Sequence, residues 1–177
     1  FQEEPCAILE ISEKTLASLD LQQTAGNLGI SVYYVGGTAD LSNQHDGITI
    51  SKTLTPQSDC PVGGIIRVDL QIHFDAEAPD GWYQLSDILP SGCRFSKAAE
   101  VFPRNWYLDN QENQRLSFSL TTNQMQDGQL QEVQDVTITY YIRGVLPGNY
   151  QVEPAILQHT TTGVNTQSET SRLTVVK

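Results

Sequence analysis

The chain has 177 residues, with 10 Lys+Arg against 21 Asp+Glu, a formal net charge of −11 and a pI near 4.5. That length suits roughly one domain with a real hydrophobic core and no need of disulfide staples. The acidity disfavours nucleic acid and anionic membrane surfaces as partners, and no apolar run nears the roughly 18 residues of a membrane-spanning helix. Phe1 is not an initiator Met, and the N-terminus shows no signal-peptide pattern. The expectation is a processed product or a piece of a longer polypeptide.

In chain order, Ser12 to Leu21 is the first ambiguous stretch. It could form a short helix capped by Ser12, with Leu16 and Leu19 on one side, or a strand in which Leu19 and Leu21 alternate; the strand reading is preferred. Leu28, Ile30, Val32 and Tyr34 then alternate as a strand would require. A weak boundary falls at 36–46, where Gly, Asn, Gln, His and Asp cluster. Ile48 and Ile50 open a short strand. From Ile66 to Phe74 the alternation is strict, with Ile66, Val68, Leu70, Ile72 and Phe74 on one face and Arg67, Asp69, Gln71 and His73 on the other.

Leu116, Phe118 and Leu120 repeat this pattern, as do Val136, Ile138, Tyr140 and Ile142, and finally Leu173 with Val175. Turn signals separate the runs at Gly63-Gly64, Pro79-Asp80-Gly81, Pro90-Ser91-Gly92, Asp127-Gly128 and Pro147-Gly148. Two polar stretches, 121–131 and 159–170, read as long loops in solvent. Short strands between such turns predict an all-β, antiparallel sandwich or barrel.

Residues that could carry chemistry are few. Cys6, Cys60 and Cys93 lack zinc-site spacing; Cys60 and Cys93 flank strands and could meet as a disulfide, but three separate reduced thiols are the simpler expectation. His45 and His159 are read as loop residues, and His73 lies on the polar face of its strand, with no nucleophile elbow in the sequence. Asp75, Glu77 and Asp80 could offer oxygens to calcium, but they lack the spacing of an EF-hand loop and read as a solvated acidic turn. Trp82-Tyr83 and Trp106-Tyr107 would suit sugar or peptide stacking if exposed. In a strand one member of each doublet points inward, and buried tryptophans are the expectation. No catalytic residue, cofactor or metal site is expected.

Three stretches carry a family resemblance. The run Gly64-Ile65-Ile66-Arg67-Val68-Asp69-Leu70, followed by Trp82 to Gly92 with its Asp87-Ile88-Leu89-Pro90-Ser91-Gly92, resembles a signature of the C-terminal macroglobulin-like domain of bacterial alpha-macroglobulins. Val136 to Tyr150, with Tyr140-Tyr141-Ile142-Arg143-Gly144-Val145-Leu146-Pro147-Gly148, is similar to a second stretch of that domain. Val152-Glu153-Pro154-Ala155 and Arg172 to Val176 extend the likeness to the end.

The resemblance implies residues 47–177 as a macroglobulin-like, immunoglobulin-like sandwich, and 1–46 as terminal strands of a preceding CUB-like domain. It also implies a non-enzymatic structural or interaction module of an extracytoplasmic protease-trap protein. The partners would be neighbouring domains of the parent chain and, through the parent, proteases. Pro154, Leu157, His159 and Thr161 fall in the segment that shields the thioester in that family and are the candidate interaction residues. Thr161 stands where the family carries Tyr, and no Cys here is followed by Gln three residues later. Two rival readings are a cell-surface adhesin-like or carbohydrate-binding sandwich, favoured by an exposed Trp82 or Trp106, and a small hydrolase, which would need a Ser or Cys bonded to His in a pocket.

Overall fold

A computed structural model describes residues 44–99, 105–126 and 129–177, together with Ser12, Thr15, Ser18 and Asp20. The chain divides into two compact units, Phe1–Val35 and Gly36–Lys177. The strand expected at Leu28–Tyr34 and the CUB-like reading of 1–46 lie almost wholly outside the described residues. Within the first unit, Thr15 is helical, its N–H donates to Ser12 Oγ at 3.2 Å, and Ser18 N–H donates to the Thr15 carbonyl at 3.2 Å. At these residues the Ser12-capped helical turn, not the preferred strand, is what forms. The hydroxyl satisfies an N–H that a first turn otherwise leaves unpaired.

The second unit is all β. Its strands are β1 (Ile48–Thr55), β2 (Cys60–Pro61), β3 (Ile65–Phe74), β4 (Trp82–Ile88), β5 (Cys93–Ala98), β6 (Trp106–Glu112) and β7 (Arg115–Thr121), then β8 (Asn123–Gln126), β9 (Gln129–Glu132), β10 (Asp135–Gly144), β11 (Gly148–Val152), β12 (Ile156–His159), β13 (Asn165–Gln167) and β14 (Ser171–Val176). One sheet has the order β1-β3-β10-β5, and the other β13-β12-β4-β7-β6. A three-stranded sheet, β11-β14-β2, and the β8-β9 hairpin complete it. Among the described residues, the pairings between these strands are antiparallel except β14 with β2.

The two large sheets lie face to face. Phe74 of β3 meets Tyr83 of β4 with ring centroids 4.8 Å apart, and Tyr140 of β10 meets Phe118 of β7 at 5.9 Å. Period-two alternation explains which residues enter the space between. Ile66, Val68, Leu70, Ile72 and Phe74 are buried on β3; Val136, Ile138, Tyr140 and Ile142 on β10; Leu116, Phe118 and Leu120 on β7. Each fully buried side chain of this size contributes on the order of 1.5–3 kcal/mol by leaving water.

Two expected loops contain strands. Residues 121–131 carry β8 and β9, which pair from Asn123↔Glu132 to Gln126↔Gln129. Their ladder uses backbone groups, which glutamine-rich sequence supplies as well as any other, and the intervening Asp127-Gly128 is itself a hairpin signal. Within 159–170, β13 pairs with β12 as the edge of its sheet, and its Asn165 is buried, so polar composition there does not mean a loop in solvent.

The turn before β5 is closed by a contact that tolerates no side chain. A Cβ on Gly92 would stand 2.1–2.4 Å from Tyr150 ring and hydroxyl atoms. Tyr150 is held there by its hydroxyl, which donates to the Leu146 carbonyl at 3.0 Å. Gly92→Ala is therefore expected to lose about 1–3 kcal/mol of stability in a denaturant melt. Adding Tyr150→Ala should recover part of that loss, so that the double variant costs less than the sum of the singles.

Candidate functional site

The outer face of the β13-β12-β4-β7-β6 sheet carries two half-exposed aromatic side chains. Trp82 is 50% exposed and Tyr107 49%. Trp82 lies opposite Thr121 of β7, and Tyr107 opposite Ser119 on the other side of the same strand. Their backbone positions therefore lie on either side of β7, two strand spacings or about 10 Å apart across the sheet and offset by two residues along it. Beside Trp82 lies the turn that follows β12. Thr160 donates to the Trp82 carbonyl from both its N–H (2.9 Å) and its hydroxyl (3.0 Å), and Thr161 next to it is exposed.

The two doublets thus split as strand geometry requires. Trp106 is 2% exposed and packs edge-on against Phe118 at 5.9 Å, as expected. Trp82 departs from the expectation of burial. Tyr83 occupies the inward register beside it, is buried, and donates its hydroxyl to the Pro79 carbonyl at 2.5 Å. Burial, followed by the nearby Asp80 carboxylate, pushes the Tyr83 phenol up to about 12.

Of the four residues singled out for interaction, Pro154, Leu157 and His159 are buried within this unit, and Thr161 alone is exposed. Leu157 is part of the core. His159 is not a loop residue: it ends β12 on the inward side, with its ring edge-on to Tyr83 at 4.8 Å. Its Nδ1 accepts from the Thr162 N–H at 3.1 Å, which leaves Nε2 as the ring donor to the Asp80 carbonyl at 3.1 Å. The Thr162 hydroxyl also meets Nδ1, at 2.8 Å, but this closes a local turn three residues long rather than arming a nucleophile.

His45 lies just before β1, where its Nδ1 accepts from the Gly47 N–H at 3.1 Å. His73 is exposed and pairs with Asp135 at 2.9 Å. Asp75 uses Oδ1 to accept from the Glu77 and Ala78 N–H groups, an Asx turn, and no cluster of three or more metal-ligating side chains occurs among the described residues. Cys60 and Cys93 are free and buried. Burial pushes both thiols up, that of Cys93 to about 11, with Cys60 nearby as a second cause.

One constellation was not singled out from the sequence. Lys52 of β1 and Asp87 of β4 meet between the sheets, Nζ to Oδ1 at 2.5 Å, with side chains only 2% and 0% exposed. Tyr140 of β10 donates its hydroxyl to Asp87 Oδ2 at 2.6 Å, and Lys52 Nζ also donates to the Glu153 carbonyl at 3.1 Å. The signal was present in the alternation: Lys52 shares the inward set of Ile48, Ile50 and Leu54, and Asp87 that of Tyr83 and Leu85. Burial first, then the Asp87 carboxylate, pushes the Tyr140 phenol well above the usual tyrosine range.

No protein-family model and no curated protein sequence matches the chain. Solved structures do. The Escherichia coli alpha-2-macroglobulin fragment running from domain MG7 to the C-terminus superposes with a TM-score of 0.56 at 17% identity, covering 75% of this chain and 24% of that one. Salmonella alpha-2-macroglobulin reacted with methylamine gives 0.59 at 17% identity, covering 75% of this chain and 9% of that one. The major pilin SpaD of Corynebacterium diphtheriae gives 0.50 at 10% identity, covering 71% and 35%. The fold is thus a macroglobulin-like, antiparallel β-sandwich. The chain spans a quarter or less of the alpha-2-macroglobulin structures it resembles.

Linkage gives the alkaline limit of this fold. Tyr83 ionises at about 12 in the folded chain and near 10 when unfolded, so its contribution is intact below about pH 10 and is lost as pH rises toward 12. Spectrophotometric titration should show Tyr83 and Tyr140 ionising above the usual tyrosine range, together with unfolding; their titration near pH 10 in native protein would contradict the burial. Cys60 and Cys93 should likewise resist a thiol reagent at pH 8 until denaturant is added.

Proposed function

We propose that this chain is the C-terminal structural and interaction module of an extracytoplasmic, alpha-macroglobulin-like protein, packed against neighbouring domains of its parent. The observation that carries the reading is the likeness of three-quarters of the chain to bacterial alpha-2-macroglobulins, at TM-scores of 0.56 and 0.59. It is supported by the polar, acidic surface and by the resemblance of the Asp87–Gly92 and Tyr140–Gly148 stretches to that family. The work of such a module is mechanical. Two interlocked sheets hold a rigid outer face, and interdomain contacts of about 600–1,500 Å² can release and re-form when the parent rearranges. Trp82, Tyr107 and Thr161 form that face; Pro154, Leu157 and His159 support it from beneath. Any protease trapping would be the work of the parent; within this stretch no Cys is followed by Gln three residues later.

The exposed Trp82 favours a second reading, a carbohydrate-binding or adhesin-like sandwich, because an indole face can stack on a sugar ring. Thermal unfolding in the presence of a panel of soluble glycans separates the two. The domain-packing reading expects no shift, since a ligand stabilises only what it binds. A saturable rise in melting temperature, abolished by Trp82→Ala, would replace it with the second. In the parent polypeptide, Trp82→Ser with Tyr107→Ser should speed proteolytic release of the module while leaving the melting of the 177-residue chain nearly unchanged. Unchanged release would remove this face as the contact.

A further inference from the structure

A lysine amine and an aspartate carboxyl are held against each other in a dry interior, on strands of two different sheets. We propose that Lys52 and Asp87 condense to an intramolecular amide, Nζ to Cγ, with loss of one water. The cross-link would covalently tie β1 of one sheet to β4 of the other.

Four features of the site favour the reaction. The reactants are already in contact, with Nζ 2.5 Å from Oδ1. Groups fixed in this way react as if at effective concentrations of about 10⁵ M or more. Burial removes what normally prevents the step. In water, ammonium and carboxylate are each strongly solvated; between the sheets, with side chains only 2% and 0% exposed, that solvation is gone. Tyr140, un-ionised, donates to Oδ2 at 2.6 Å, and so polarises the carboxyl and can bind the negative charge that develops on that oxygen. The Glu153 carbonyl, 3.1 Å from Nζ, orients the amine.

The atoms balance without an oxidant or co-reactant. One proton passes from the Lys52 ammonium to Asp87 Oδ1, giving amine and carboxylic acid. The Nζ lone pair attacks Cγ, and the charge gathers on Oδ2 under the Tyr140 hydroxyl. A second Nζ proton moves to the Oδ1 hydroxyl, which leaves as water while the Cγ–Oδ2 double bond re-forms. The product amide finds its partners in place: its N–H faces the Glu153 carbonyl, and its oxygen is Oδ2, already accepting from Tyr140. Both polar groups of the new bond are thereby satisfied in the interior. Tyr140 touches the reacting carboxyl and acts as the catalytic residue.

The test is the mass of the folded 177-residue chain after denaturation. The expected value is that of the sequence less one water, with a branched tryptic peptide joining the Lys52 and Asp87 segments. Lys52→Met should show the full mass of its sequence and no branched peptide. Asp87→Asn, if it reacts, should lose ammonia in place of water. Tyr140→Phe, verified as folded by circular dichroism, should accumulate the cross-link more slowly; an equal rate would overturn the role given to Tyr140. Wild-type chain at full sequence mass, with Lys52 and Asp87 recovered on separate peptides after prolonged incubation in the folded state, would overturn the cross-link itself. These outcomes are independent of the family reading, because none requires the parent protein.

Discussion

A charged amine and a carboxyl set between two apolar sheets constrain everything built around them. Removing either ion from water costs several kcal/mol, and the cost is offset only if the partners are fixed in contact and every remaining polar group is met. Here three strands meet: Asp87 sits on β4, receives Lys52 from β1, and receives Tyr140 from β10. Its position therefore fixes how one sheet registers on the other. Greasy side chains alone would tolerate small slips between faces, since dispersion and burial are not directional. A hydrogen-bonded carboxyl does not tolerate them. The aromatic contacts beside it, Phe118 with Tyr140 and Phe74 with Tyr83, fall into place around that fixed point.

The same constraint sets the outer surface. Once Tyr83, Leu85 and Asp87 face inward, Trp82, Gln84 and Ile88 must face outward, because β4 has only two sides. The exposure of Trp82 is thus a consequence of the interior, and its place beside Tyr107 follows from the pairing of β4 and β6 with β7. Domain-sized contacts gain most from aromatic side chains on a stiff support, because little side-chain freedom is left to lose on docking. A rigid sandwich with a sparse aromatic face meets that requirement.

The main strands were legible because alternation is a local property. Ile66 to Phe74 and Val136 to Ile142 announce both strand and face within nine and seven residues of sequence, and the structure places them side by side at the centre of one sheet. The polar segments were not legible by the same rule. In β8, β9 and β13 the backbone makes the ladder while most of the residues are polar, so hydropathy cannot distinguish a polar strand from a loop. His159 was misplaced for a related reason: it follows a hydrophobic strand and precedes threonines, and only the Thr162 and Asp80 groups that meet its ring nitrogens make an inward position affordable. Lys52 and Asp87 lie 35 residues apart in the chain, and their meeting depends on which strands end up opposed across the core. No local pattern encodes that, although each residue individually breaks an otherwise apolar inward row.

Breaks of this kind distinguish a designed interior polar site from a surface one. A lysine on the wet side of an antiparallel strand is ordinary and has no structural consequence. On the dry side it must find a carboxyl, and that carboxyl must find a further donor, or the sheets cannot close. The chain satisfies this with side chains from three strands and one backbone carbonyl at Glu153, in the segment that runs between β11 and β12. That segment leads directly through Ala155 and Leu157 to His159 and the turn beside Trp82. The interior polar cluster and the outer aromatic face are therefore joined by one short stretch of chain, from Glu153 to Thr160.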